Sequence, residues 1–80
     1  MRRTLITGGT RGIGYAVAAR LLRRGDRVAI TGTSADGVVR AERALADGCG
    51  DPGRVLGLEC DVRDRGSVHL ALQTVVARFG

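Results

Sequence analysis

The stretch LITGGTRGIGYA, Leu5 to Ala16, sets four glycines within seven residues, between an apolar run and a helical one. Upstream, Thr4 to Thr7 is β-branched at three of four positions and reads as a short buried strand. Downstream, Ile13 to Arg24 shifts to helical period, with Ile13, Val17 and Leu21 as the apolar stripe and Ala16 and Ala18 between them. A strand that must turn at once into a helix explains the glycines. Gly8, Gly12 and Gly14 allow the tight turn, bring backbone within reach of a phosphate and let helix pack on strand. The free N–H groups and positive dipole of that helix start attract an anion. The expected chemistry is phosphate binding.

The same alternation continues outward. Gly25 stops the first helix, and Arg27 to Thr31 forms a second strand. Gly32 to Gly37 reads as a loop, followed by a helix over Val38 to Asp47 with Val38, Val39, Ala41, Ala44 and Leu45 facing inward. GCGDPG, Gly48 to Gly53, breaks that helix with glycine and the only proline. Val55 to Glu59 is a third strand. Asp64 is the N-cap of a last helix reaching Phe79, with Val68, Leu72, Val75, Val76 and Phe79 on its apolar side. The order β-α-β-α-β-α implies an α/β fold, a doubly wound parallel sheet of Rossmann type with right-handed crossovers. Residues 1–80 then form one domain, ending on a helix poised to enter a fourth strand. In the strand order 3-2-1-4 the first strand lacks its far neighbour, so its open edge is expected to seek a partner.

Composition narrows the function classes. At 44% apolar and 26% charged residues the chain is globular rather than disordered. The net charge of +5 comes entirely from thirteen arginines. They form no long run, and one Tyr, one Phe and no Trp give bases no stacking platform, so nucleic-acid binding is not expected. Cys49 and Cys60 fit no metal spacing beside the single histidine, His69. No apolar stretch is long enough to cross a membrane, and no signal-peptide core follows Met1. A cytoplasmic setting with two free thiols is expected.

TGGTRGIG resembles the glycine motif of the short-chain dehydrogenase/reductase family. Extended members of that family carry glycine where this chain has Arg11, so the likeness is to the compact branch. RVAITGTSADG, CDVRDRGSV and VARFG are similar in order and spacing to the family's second strand, its adenine-binding Asp-Val and a later helix. Within the family the likeness runs to the ketoacyl–acyl-carrier-protein reductases, of which 80 residues would be about the first third. The resemblance implies cofactor binding by Gly8, Thr10, Arg11, Gly12, Ile13, Gly14, Thr33, Ser34, Asp61 and Val62. Asp61 would accept from the adenine amino group and the Val62 backbone would read a ring nitrogen. The alternative for Asp61 is a turn cap.

The end of the second strand bears on which nucleotide is held. An acidic residue there would bond a ribose 2′-hydroxyl and repel a 2′-phosphate. Gly32, Thr33 and Ser34 occupy that place, and Arg11 adds a cation, so NADP(H) is expected over NAD(H). Asp36, in the next helix's first turn, is the residue that would argue for NAD(H). Tyr15 is not the family's catalytic tyrosine, because that residue needs a lysine four positions on and Ala19 stands there. The resemblance implies reduction of a small-molecule or acyl-carrier-bound carbonyl by a homo-oligomeric enzyme. The groups that transfer hydride are absent from these residues, so this chain alone is expected to do no chemistry. The alternative is a stand-alone dinucleotide-binding module without catalysis.

Overall fold

Gly14 fixes how the first helix meets the sheet. A Cβ at Gly14 would stand 2.7 Å from the Gly8 carbonyl oxygen and 3.1 Å from the Gly9 Cα. The computed structural model, which describes residues 2–80, therefore turns this side of the helix onto the strand it has just left. Strand β1 spans Arg3–Ile6 and helix α1 spans Gly12–Arg23. Continuing from Gly14 by steps of four, Ala18 and Leu22 are the residues α1 buries.

This phase corrects the expected stripe of Ile13, Val17 and Leu21. Ile13 is 85% exposed, Val17 is also exposed and Leu21 is half-buried. Helix α1 is apolar on most of its circumference, so periodicity alone could not choose a face. The backbone contact at Gly14 chooses it.

The remaining elements follow the expected order. Strand β2 covers Arg27–Gly32, α2 Ala35–Cys49, β3 Val55–Glu59 and α3 Arg65–Phe79, with one 3-10 turn at Pro52–Arg54. Helix α2 starts three residues earlier than expected, because the Ser34 hydroxyl accepts the Gly37 N–H at 3.2 Å as an N-cap. The loop expected over Gly32 to Gly37 shrinks to two residues. Gly48 does not break α2 either; the helix runs through it to Cys49 and stops at Gly50, which adopts the left-handed conformation. Asp64 caps α3 as expected, accepting from the N–H groups of Gly66 and Ser67.

The three strands are parallel in the order β1-β2-β3, with Ile6 opposite Ile30 and Ile30 opposite Gly57. Side chains alternate across β2. Val28 and Ile30 join Ala18, Leu22, Ala41 and Leu45 in a core under α1 and α2. Ala29 points the other way, into a smaller core with Leu56 and Phe79 of α3. The result is three layers, with helices on both faces of the sheet.

Both outer helices bury narrower faces than expected. On α2, Val38, Ala41 and Leu45 turn inward while Val39 and Ala44 are exposed. On α3, Ala71, Val75 and Phe79 share the seam at four-residue steps, leaving Leu72 exposed and Val76 65% exposed. Each misassigned residue lies next to one on the seam, about 100° around the helix.

The two sheet edges differ. On β3, the outward Gly57 N–H donates to the Glu42 carboxylate, which covers that edge. Strand β1 pairs with β2 alone among the described residues, so its other edge carries free backbone groups.

Close packing at Gly57 and open space at Gly48 give opposed expectations. A Cβ at Gly57 would lie 2.8 Å from Val38 Cγ1 and 2.8 Å from the Glu42 carboxylate, whereas one at Gly48 would meet nothing within 4 Å. Gly57→Val should lower stability by about 1–3 kcal/mol in urea unfolding, by prising α2 from β3. Gly48→Ala should raise it by roughly 0.5–1 kcal/mol through helix propensity alone.

Candidate functional site

The carboxyl ends of all three strands open on one side of the sheet, the side where doubly wound folds take ligands. There the chain leaves β1, and Gly8 (φ 68°) and Gly12 (φ 66°) adopt backbone that L side chains rarely reach. The Gly9 N–H donates to the Thr31 carbonyl at 3.0 Å, tying the turn to β2. Helix α1 then begins with no side-chain cap and no acidic residue in its first turn. Ser34 and Asp64 cap the other two helices. The first-turn N–H groups of α1 thus face outward with their positive dipole uncompensated.

Two hollows flank this turn, and a third continues from them along the strand ends. The largest, about 580 Å³, lies between the turn and α2, and Thr10, Arg11, Tyr15, Thr33, Ser34 and Arg40 contribute to its wall. A second, of about 360 Å³, sits over the strand ends, among Thr7, Gly8, Thr31, Gly32, Cys60 and Val62. A third, of about 400 Å³, runs on to Asp61, Arg63 and Ser67. Thr33 belongs to all three, and Thr10 and Arg11 to the first two. Each is of the size of a small-molecule site.

Most of the residues expected from sequence are brought together here. Gly8, Thr10, Arg11, Thr33, Ser34, Asp61 and Val62 all line these hollows. Gly12, Ile13 and Gly14 form the start of α1 beside them, with the Ile13 side chain in the open. Thr10 also serves the packing, because a Cβ at Gly32 would stand 2.6 Å from its methyl.

Asp61 closes a turn and keeps acceptor capacity. Its Oδ1 accepts the Arg63 backbone N–H at 3.0 Å and Nε at 3.1 Å, and Oδ2 accepts Nη2 at 3.1 Å. The side-chain hydrogen bond from Arg63 is the main reason the carboxyl is held below its ordinary range. The carboxylate therefore stays charged in more acidic solution than an ordinary aspartate. Oδ1 is filled by its two donors, and Oδ2, with one, keeps a lone pair for a further donor.

Tyr15, Arg40 and Thr31 are among the wall residues outside the expected set. Tyr15, read only as a helix residue, lines the largest hollow. Arg40, read as a solvated charge, lines it too, on the helix face that also carries Gly37, Ala41 and Ala44. The helical spacing of these four was the available signal, hidden by starting α2 at Val38. Thr31 carries no sequence signal at all. It is 1% exposed, and its hydroxyl has no hydrogen-bond partner among the described residues. Asp36, the residue that would argue for NAD(H), is exposed and lines none of the three hollows. No group of acidic, histidine and cysteine side chains among the described residues could hold a metal ion.

A parallel α/β sheet with a glycine turn and an uncapped helix start at its carboxyl edge defines a nucleotide-binding unit of Rossmann type. The chain belongs to the short chain dehydrogenase family, whose model matches residues 2–80. It is 41% identical over 76 residues to the D-threitol dehydrogenase of Mycolicibacterium smegmatis, covering 95% of this chain and 28% of that one. It is 40% identical to the 3-oxoacyl-acyl-carrier-protein reductase of Escherichia coli over 95% of this chain and 29% of that protein. Among solved structures, an alcohol dehydrogenase from Thermococcus sibiricus complexed with 5-hydroxy-NADP superposes with a TM-score of 0.89 at 34% identity. That match covers 100% of this chain and 33% of the archaeal one. The chain thus spans about a third or less of the proteins it matches.

The close approach at Gly14 carries the site's central test. Gly14→Val should weaken nucleotide binding at least tenfold by calorimetry, because α1 must move away from the turn. Helical content by circular dichroism should change little. Undiminished binding would show that the turn is not the phosphate seat.

Proposed function

We propose that this chain is the NADP(H)-holding part of an oxidoreductase that reduces a carbonyl to an alcohol. The observation that carries the reading is the convergence of Arg11, Thr33 and Ser34 on one hollow beside the uncapped start of α1. The pyrophosphate sits at that helix start, where backbone N–H groups and the dipole favour an anion. The adenosine lies over the strand ends, with Asp61 and Val62 at its edge. The 2′-phosphate enters the largest hollow, met by Arg11 and by the hydroxyls of Thr33 and Ser34. Ser34 can do this while capping α2, since its oxygen accepts from Gly37 and its own O–H is still free to donate.

The residues fit the cofactor on three counts. The Gly14 contact seats the helix start directly on the backbone of the turn. The exposed carboxylate of Asp36 stands clear of the hollow where the 2′-phosphate would meet it. Thr31 places an unpartnered hydroxyl beside the hollow assigned to adenosine. When bound, the nicotinamide supplies the hydride; these residues bind and orient the nucleotide.

Substrate activation is a different task, and the chain is poorly equipped for it. It has no lysine, its one histidine is exposed on α3, and Tyr15 lines the nucleotide hollow. The 80 residues therefore hold cofactor without turning over substrate. In the whole enzyme the substrate is a small-molecule or acyl-carrier-bound ketone, the setting cytoplasmic and the assembly homo-oligomeric. No helix among the described residues is long and apolar enough to cross a membrane.

Comparing 2′,5′-ADP with 5′-AMP tests the cofactor assignment. The bisphosphate should bind more tightly by calorimetry, and Arg11→Ala should remove about 1–3 kcal/mol of that preference. Equal affinities in the unmutated chain would overturn NADP(H) in favour of NAD(H).

A further inference from the structure

Arg40 and Arg11 reach the same hollow from different elements, α2 and the glycine turn. Neither guanidinium makes an ion pair among the described residues, where the salt bridges are Arg54–Asp51 and Arg63–Asp61. Neither donates a side-chain hydrogen bond to a described residue. Arg40 has a natural partner within its own helix. Asp36 stands four residues earlier, the spacing and polarity at which an acid and a base pair on a helix. The pair is not formed, and Arg40 instead walls the hollow.

Two like charges converging on a concave surface without a carboxylate repel one another until an anion joins them. The α2 face below Arg40 is cut back to Gly37, Ala41 and Ala44, which keeps the space open. A phosphate monoester has three terminal oxygens and up to two charges, enough to accept a planar fork from each arginine. The pyrophosphate seat at α1 needs neither fork, because backbone groups and the dipole serve it.

Resting on the NADP(H) reading, we infer that Arg40 is a specificity-determining residue that closes the 2′-phosphate site opposite Arg11. It discriminates between the phosphorylated and the plain ribose and contributes little to the rest of the nucleotide.

The test is the ratio of 5′-AMP to 2′,5′-ADP dissociation constants, by calorimetry at low and at 0.15 M salt. Arg40→Ala should cut that ratio about three- to tenfold while leaving 5′-AMP affinity and the melting temperature unchanged. Arg40→Lys should keep part of the ratio, and Arg11→Ala with Arg40→Ala should bring it near one. The ratio in the unmutated chain should also fall between pH 7 and 5, as the 2′-phosphate dianion takes up a proton and becomes a monoanion, and fall less in Arg40→Ala. A high ratio that Arg40→Ala leaves unchanged, or a loss shared equally by both nucleotides, overturns the role of Arg40 alone. A ratio of one in the unmutated chain overturns the NADP(H) reading and this inference with it.

Discussion

The fold and its site both depend on the close approach of Gly14 to the Gly8 carbonyl. With no side chain there, α1 can start against the end of β1 instead of beyond it. This sets the phase of the helix, so that Ala18 and Leu22 reach the sheet and Ile13 and Val17 do not. It also brings the open N–H groups of α1 to the strand ends, where β2 and β3 deliver Thr33, Asp61 and Val62. A larger residue at position 14 would cost packing and anion binding together. Stability and function share this contact.

Around that fixed point the charges are sorted. The thirteen arginines give the chain a positive field that draws anions towards it. Arg11 and Arg40 are set apart from most of the others because they wall a common hollow. Arg63 is matched by Asp61 and Arg54 by Asp51, while Arg11 and Arg40 face a hollow without a carboxylate. Arg54 shows the opposite use of the same side chain: it donates to the Leu22 and Asp26 carbonyls and holds the end of α1 to the start of β3.

The sequence carried the element order, the parallel sheet and the glycine turn plainly, because strand and helix periods and Gly/Pro breaks are local signals. Ser34 and Asp64 are both legible as caps, yet the small polar residues of Gly32 to Gly37 also read as loop, which shortens the expected α2. Which face of each helix turns inward was less legible. Ile13, Val39 and Val76 look as apolar as their buried neighbours, and only the sheet's position separates them. The site residues on the turn and at the strand ends followed from motif and topology. Arg40 and Thr31 did not, because one depends on where α2 begins and the other on an unmet hydrogen bond that exists only in the folded chain.

On the proposed reading, a nucleotide's phosphates sit on the start of α1 with the adenosine over the strand ends. Backbone amide spectra of the isotope-labelled chain, titrated with NADPH, test it most directly. The largest shifts are expected at Gly12 to Tyr15, with a second group at Thr33, Ser34, Arg40 and Asp61 to Arg63. The outer face of α3, around Leu72 and Val76, should stay still. Shifts centred on α3, or none at the glycine turn, would contradict it.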